Sequence, residues 1–217
     1  MTHTVLEAEP SAMTRGFAGR TLFLVRHGES TWNKLALAQG HNDEAELTAQ
    51  GHEQADAIAS VLSDYPVGSI YVSDLRRAVQ TATPLSSMLG LPLRTDVRLR
   101  ERSLGSLEGA LLVQVGPEVT GIVAAIGGQQ SVTDPDIKPE GGESIRDLYL
   151  RAAGFSTELA AKVAAGSVPP GDIVIVAHGG MVRVLHACLS GVPVEHMNWI
   201  PVPNGTVLRV SARREHP

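Results

Sequence analysis

The chain carries one cysteine in 217 residues. That excludes an internal disulfide and suits a reducing compartment. Cys188 sits in an apolar helical pattern and reads as a buried structural thiol rather than a nucleophile. Aromatic residues make up only 4% of the sequence, so the core must come from Val, Leu, Ile and Ala. No stretch reaches the roughly 18 apolar residues of a membrane span. Residues 1–19 lack the apolar segment of a secretory signal and read as a flexible N-terminal extension. A formal charge of −5 removes any general attraction to nucleic acid or to an anionic membrane. The expected setting is cytoplasmic, with neither nucleic acid nor membrane as partner. An anionic ligand would need a local cluster of cations.

The length fits one α/β domain, residues 20–217, with an inserted segment. Strand patterns lie at Thr21–Val25, Ser69–Val72, Leu93–Thr95, Ile173–Ala177 and Thr206–Val210. Between them run helical stripes. Ala55, Ile58, Ala59 and Leu62 follow a candidate N-cap, Thr48; Ile145, Leu148, Ala152, Phe155 and Leu159 follow Ser144. Alternating strands and helices predict a three-layer α/β/α sandwich around a mostly parallel sheet. Gly105 to Gly142 fits this rhythm poorly, being Gly-rich and broken by Pro117, Pro135 and Pro139. It reads as an excursion over the sheet edge, a candidate lid. The edge strand near Thr206–Val210 offers a surface for a homodimer.

The most informative stretch is Leu24-Val25-Arg26-His27-Gly28-Glu29-Ser30-Thr31-Trp32-Asn33. It places a cation, an imidazole and a glycine directly after a buried strand, where ligands bind in open α/β sheets. Downstream, Ile173–Ala177 leads into His178-Gly179-Gly180. Two strands thus present a histidine and a glycine at one sheet edge, a pattern suited to imidazole chemistry on a phosphoryl group.

These segments resemble the histidine phosphatase superfamily, also called the phosphoglycerate mutase-like family. Arg26-His27-Gly28 matches its signature block. Ser73-Asp74-Leu75-Arg76-Arg77-Ala78 matches the second, Leu99-Arg100-Glu101-Arg102 with Gly105 and Glu108-Gly109 the third, and Ala177-His178-Gly179-Gly180 the last. The resemblance runs from about Thr21 to Val210 and implies Arg77 as a phosphate ligand and Glu101 as the acid.

The chemistry follows from the side chains. A neutral imidazole is a competent nucleophile, and flanking guanidinium groups on Arg26 and Arg77 disfavour its protonated form. A backbone carbonyl near Gly28 would fix the tautomer. Arg26 and Arg77 present planar donor forks to phosphoryl oxygens, and Asn33 and His178 complete the cradle. Gln39, Gly40, Arg102 and Gly179 join the substrate-binding set. Glu101 donates a proton to the leaving alkoxide and later accepts one from water, with nearby Glu108 as the alternative acid. No metal or other cofactor is required. His41, His52, His186 and His196 read as surface or core histidines, Trp32 as a packing residue, and Glu29 as loop support.

Several features favour hydrolysis over mutase chemistry. Gln39-Gly40 is the phosphatase-like form where mutases carry Thr-Gly, and His178-Gly179-Gly180 replaces their His-Gly-Asn. From Ser103 through Ile137 there is no Lys, Arg or His, so the lid offers no cation to a second anionic group. This points to a small phosphomonoester whose remainder is neutral or apolar. Arg102 is the one nearby cation able to serve a carboxylate and keeps a phosphoglycerate mutase as the alternative. A phospho-ligand-binding module without activity is the lower alternative, since nucleophile and acid are both retained. A protein phosphohistidine phosphatase fits less well, because those tend to be shorter and to lack a lid.

Overall fold

The computed structural model describes residues 12–116, 122–124, 130–132 and 134–211. Its centre is a five-stranded sheet in the order β3-β2-β6-β1-β8. The strands are β1 Thr21–Arg26, β2 Val67–Val72, β3 Leu93–Thr95, β6 Asp172–Ala177 and β8 Val207–Ser211. The first four pair in parallel and β8 runs antiparallel at the edge. Each strand predicted from the sequence is present, with ends shifted by two residues or fewer.

Alternation along the central strands builds the three layers. Leu22, Leu24, Ile173 and Ile175 face one core, and Phe23, Val25, Val174 and Val176 face the other. Two helices cover each face, a doubly covered sheet of the kind parallel strands require. On one side lie α3 (Ala49–Leu62) and α4 (Arg76–Leu89). On the other lie α5 (Ile145–Ala164) and α6 (Gly179–Ser190). Two single-turn helices complete the set, α1 (Ala12–Arg15) and α2 (Thr31–Lys34).

The helix starts follow local chemistry. Thr48 accepts from the Gly51 amide at the start of α3. Ser144 and Asp147 form a reciprocal capping box on α5, satisfying two amides that the first turn leaves unpaired. Cys188 is buried in α6, as its apolar setting suggested. Among the described residues no helix is long and apolar enough to cross a membrane.

Two expectations need correction. The segment read as a flexible extension through residue 19 is structured from Ala12 onward, residues 1–11 lying outside the described residues. Phe17 is 0% exposed and belongs to the core beneath α5 and α6, while Thr14 accepts a hydrogen bond from the Phe17 amide. The 1–19 stretch has too few apolar residues to show a period, so one deeply inserted phenylalanine left no signal. The candidate lid, Gly105–Gly142, is not irregular throughout. Short 3₁₀ turns occupy Gly105–Leu107 and Leu112–Gln114. Strands β4 (Ile122–Ala124) and β5 (Gln130–Val132) then join β7 (Asn198–Trp199) in a three-stranded antiparallel sheet. Residues 117–121, 125–129 and 133 of that segment lie outside the described residues.

The burial of Phe17 makes a measurable claim. Phe17→Ala should lower unfolding free energy in denaturant titrations by about 3–5 kcal/mol, the cost of an unrelaxed core cavity. A loss below about 1 kcal/mol would show that this segment is dispensable to the fold.

Candidate active site

Strands β2, β6 and β1 are neighbours, and each is followed directly by a polar residue, Ser73, His178 and His27. The parallel register sets Arg26 opposite Ala177, and the His27 amide donates to the Ala177 carbonyl at 3.0 Å. His27 and His178 therefore emerge side by side, their ring centroids 5.2 Å apart and nearly edge to face. The Ser73 amide donates to the Val176 carbonyl at 3.0 Å, which brings Ser73 to the same edge. Gly28 is needed here because a Cβ would collide with the Gly51 carbonyl at the start of α3.

Both imidazoles are held neutral. Burial first, then Arg77 and Arg26, push His27 well below the usual imidazole range, against a smaller opposing pull from the Gly28 carbonyl. His178 is depressed in the same way, by burial and then by Arg77, His27 and Arg26. His27 Nδ1 lies 2.7 Å from the Gly28 carbonyl oxygen. That nitrogen carries the proton and Nε2 keeps its lone pair, as a nucleophile requires.

The cations are fastened from behind. Arg77 is 0% exposed; its Nη1 donates to the Asn42 carbonyl at 2.8 Å and its Nη2 to the Gly40 carbonyl at 2.9 Å. Burial lowers its pKa to about 10, so it stays charged at neutral pH. Arg26 Nη1 donates to the Val202 carbonyl at 2.5 Å. Yet Arg26 Nε, Arg77 Nε and His178 Nδ1 are buried without a partner. His178 Nε2 sits 2.8 Å from Ser73 Oγ, which itself accepts from the Leu75 amide. The hydroxyl proton is then free to point at Nε2, and the ring's own proton sits on Nδ1. Three buried donors around one neutral imidazole, all unsatisfied within the protein, match the oxygens of a phosphoryl group.

Glu101 lies at the opening of this site. Its Oε1 accepts from the Arg102 amide and its Oε2 from the Gly180 amide in the first turn of α6, each at 2.8 Å. A Cβ at Gly180 would stand 2.3 Å from Glu101 Oε1, so a side chain there would turn the end of that carboxylate. The flanking arginines do not neutralise it: Arg100 forks onto Asp74 at 2.8 and 2.5 Å. Glu108, unlike Glu101, is not part of the cavity lining. Its Oε1 accepts from the amides of His41 and Leu104, pinning two loops. His41, read as a surface or core histidine, has Nε2 2.8 Å from the Glu101 carbonyl oxygen and 3.8 Å from Glu143. Arg151 bridges Glu143 to the carbonyls of Arg98, Arg100 and Glu101. These partners come from distant sequence, so no local pattern announced them.

The remaining predicted residues divide. Asn33 Oδ1 accepts from Asn204 Nδ2 and from the Ser30 backbone N–H, and Ser30 Oγ lies 2.9 Å from Asn33 Oδ1 and 3.0 Å from Gln39 Oε1, its one hydroxyl proton serving one of the two. Both amides line the cavity above Glu101 with their NH₂ groups left to donate. Gly40 acts through its carbonyl on Arg77 rather than on a ligand. Gly179 lines the cavity. Arg102 lies in the cavity wall, but its Nε and Nη2 donate to the Glu143 and Ile137 carbonyls. That makes it a strut for the loop more than a ligand. The cavity, about 250 Å³, is also lined by Arg183 and Trp199, neither of which the sequence singled out.

A buried neutral imidazole, a second imidazole beside it and two fastened guanidinium groups, at the strand ends of an α/β/α sandwich, are the setting of a phosphohydrolase of the histidine type. The chain belongs to the histidine phosphatase superfamily (branch 1), which it matches over residues 22–217. It is 38% identical to a glucosyl-3-phosphoglycerate phosphatase of Mycolicibacterium vanbaalenii over 192 residues, 86% of this chain and 80% of that one. It is 37% identical to phosphoglycerate mutase-like protein 4 of Arabidopsis thaliana over 168 residues, 76% of this chain and 69% of that one. Among solved structures, mycobacterial glucosyl-3-phosphoglycerate phosphatase in complex with VO3 superposes with a TM-score of 0.72 at 32% identity, over 88% of this chain and 92% of that one.

Ser73 is the positioning residue this geometry adds. Ser73→Ala removes the hydroxyl that sets the His178 tautomer. Inorganic phosphate should then bind about 10–100-fold more weakly, the scale of one hydrogen bond to a charged group. The ¹⁵N signals of His178 should report a change of tautomer. Unchanged phosphate affinity with an unchanged tautomer would remove Ser73 from the account.

Proposed function

We propose that this protein hydrolyses phosphomonoesters through a phosphohistidine on His27, with Glu101 moving the proton and Arg26, Arg77 and His178 holding the phosphoryl oxygens. The carrying observation is the set of three unpartnered buried donors, Arg26 Nε, Arg77 Nε and His178 Nδ1, around a neutral His27. Fixed donors aimed where charge develops supply the largest share of catalysis in such sites.

In the first step His27 Nε2 attacks phosphorus, the P–O ester bond breaks, and the departing oxygen takes a proton from Glu101. To deliver it, Glu101 enters protonated and releases one of its two backbone amide bonds. In the second step Glu101 takes a proton from water as the water oxygen attacks phosphorus. The P–N bond breaks, and Nε2 recovers its lone pair. Each step runs through side chains of this chain, and the sequence of proton transfers returns Glu101 to its starting form.

His178-Gly179-Gly180, which departs from the mutase His-Gly-Asn, and the phosphatases among the relatives support hydrolysis over the mutase alternative. The relatives named for glucosyl-3-phosphoglycerate make that ester the first compound to test. The lone Cys188 and the anionic composition accord with a cytoplasmic enzyme acting on a small soluble ester. The edge strand β8 is where a second copy would pair. The Gly105–Gly142 segment, two of whose residues, Leu112 and Val115, line the cavity, is read as its cover.

Brief incubation with a labelled phosphomonoester and an alkaline quench should trap a base-stable, acid-labile label on wild type and none on His27→Ala. Glu101→Gln should slow phosphoenzyme formation by about 10²–10⁴-fold with an alkyl phosphate and far less with a nitrophenyl phosphate, whose leaving group needs no proton. Equal slowing for both leaving groups would reduce Glu101 to a shaping role, and label on His27→Ala at the wild-type level would move the nucleophile elsewhere.

A further inference from the structure

Glu101 stands on backbone that no ladder holds. Residues 101–104 belong to no helix or strand. The carbonyls of such a stretch must find partners among side chains. A general acid must also keep its carboxyl within hydrogen-bond reach of the departing oxygen, and Glu101 has to release an amide to act. Its main chain therefore needs an anchor that stays put while the side chain moves.

That anchor is Arg151. It lies on α5, outside the cavity lining, with its side chain 15% exposed. All five of its guanidinium N–H groups are taken. Nη1 donates to the Arg98 and Arg100 carbonyls, each at 2.7 Å. Nη2 donates to the Glu101 carbonyl at 2.9 Å and to Glu143 Oε2 at 2.6 Å. Nε donates to Glu143 Oε1 at 3.0 Å. No donor is left for a ligand, so this arginine is a strut. Glu143 completes the clamp from the other side. Its Oε2 accepts from the Ser103 amide at 2.9 Å, and its own amide donates to the Ser103 carbonyl at 3.0 Å. Burial pushes the Glu143 carboxyl up, but the bonds from Arg151 and Ser103 outweigh it and hold it below the usual carboxylate range, so it is ionised at neutral pH. Glu101 is thus flanked by residues tied to one ion pair, and His41 Nε2 sits 2.8 Å from its carbonyl oxygen as a second partner. The phosphate cradle stands on other elements: Arg26 on β1, Arg77 on α4 and His178 just ahead of α6. Loosening residues 98–103 would move the acid and leave the phosphoryl donors in place.

We propose that Arg151, paired with Glu143, is a positioning residue whose fork on three carbonyls holds the Glu101 backbone so that the carboxyl reaches the leaving oxygen. This rests on the reading of Glu101 as the proton donor and assigns what sets the acid in place. A lysine can keep the charge opposite Glu143 but not the planar fork, because its three donors radiate from one atom.

Arg151→Lys therefore tests the fork with the ion pair retained. Phosphoenzyme formation should slow by about 10–100-fold with an alkyl phosphate and by less than about threefold with a nitrophenyl phosphate, whose oxygen needs no proton. Inorganic phosphate should bind with wild-type affinity. The Gly180 amide proton, bonded to Glu101 Oε2 in wild type, should shift in the nitrogen-15-correlated spectrum because the carboxylate has moved. If Arg151→Lys does not fold, Glu143→Gln carries the same test, keeping an oxygen for Arg151 but losing the charge, with the same selectivity expected at smaller size. Equal slowing of the two esters with an unmoved Gly180 amide, or wild-type rates on both, would overturn the proposal. Failure of the acid assignment reads differently: Glu101→Gln would then slow both esters equally, while the Gly180 amide would still shift in Arg151→Lys, which keeps the positioning role.

Discussion

The parallel ladder between β1 and β6 sets Arg26 opposite Ala177, and the active site hangs from that pairing. One residue beyond the register, two chain segments separated by about 150 positions present His27 and His178 to each other. A slip of one residue would turn every side chain of β1 to the other face and send Leu22 and Leu24 into the wrong core. The buried alternation on both sides of the sheet thus holds the catalytic geometry as firmly as it holds the fold. Ser73, at the end of the adjoining β2, extends the same logic to a third strand.

That geometry is costly in electrostatic terms, and the costs explain the surroundings. Burial of the two imidazoles, and then the guanidinium groups beside them, disfavours charge on the imidazoles and leaves His27 the lone pair that the proposed attack needs. The arginines are retained because backbone carbonyls of Gly40, Asn42 and Val202 accept from their outer edges. Glu101 is anchored by two backbone amides, so in the proposed proton transfer it has no ion pair to break first. The sign of the pH effect follows. The unfolded chain takes up protons on these histidines below about pH 6.5, whereas the folded one does not, so stability falls as pH drops through that value.

Much of this was legible in the sequence because the central machinery is local. Arg26 closes a buried strand, His27 and His178 directly follow buried strands and Arg77 opens the helix after a third, and such strands betray themselves as β-branched runs. Thr48 and Ser144 announced their helices through capping chemistry. What the sequence hid was made by contacts between distant segments. Arg183 is one polar position in an apolar helix until Trp199 and Ile200, from beyond the α6 C-terminus, fold beneath it. Arg102 looked like a ligand because of its neighbour Glu101, but carbonyls some 35 to 41 residues away claim it. Phe17 and the β4-β5-β7 sheet were missed for a related reason. A single anchor and strands of two or three residues are too short to show a period.

The central claim is that His27 stays neutral, with its proton on Nδ1, where an ordinary histidine would be charged. Nitrogen-15 spectra of the histidine rings test it directly, with His27→Gln supplying the assignment. At pH 5.5 a histidine of normal pKa is about nine-tenths protonated. His27 should still show a protonated Nδ1 and an unprotonated Nε2. An imidazolium spectrum for His27 at that pH, or a proton on Nε2 at neutral pH, would contradict the account.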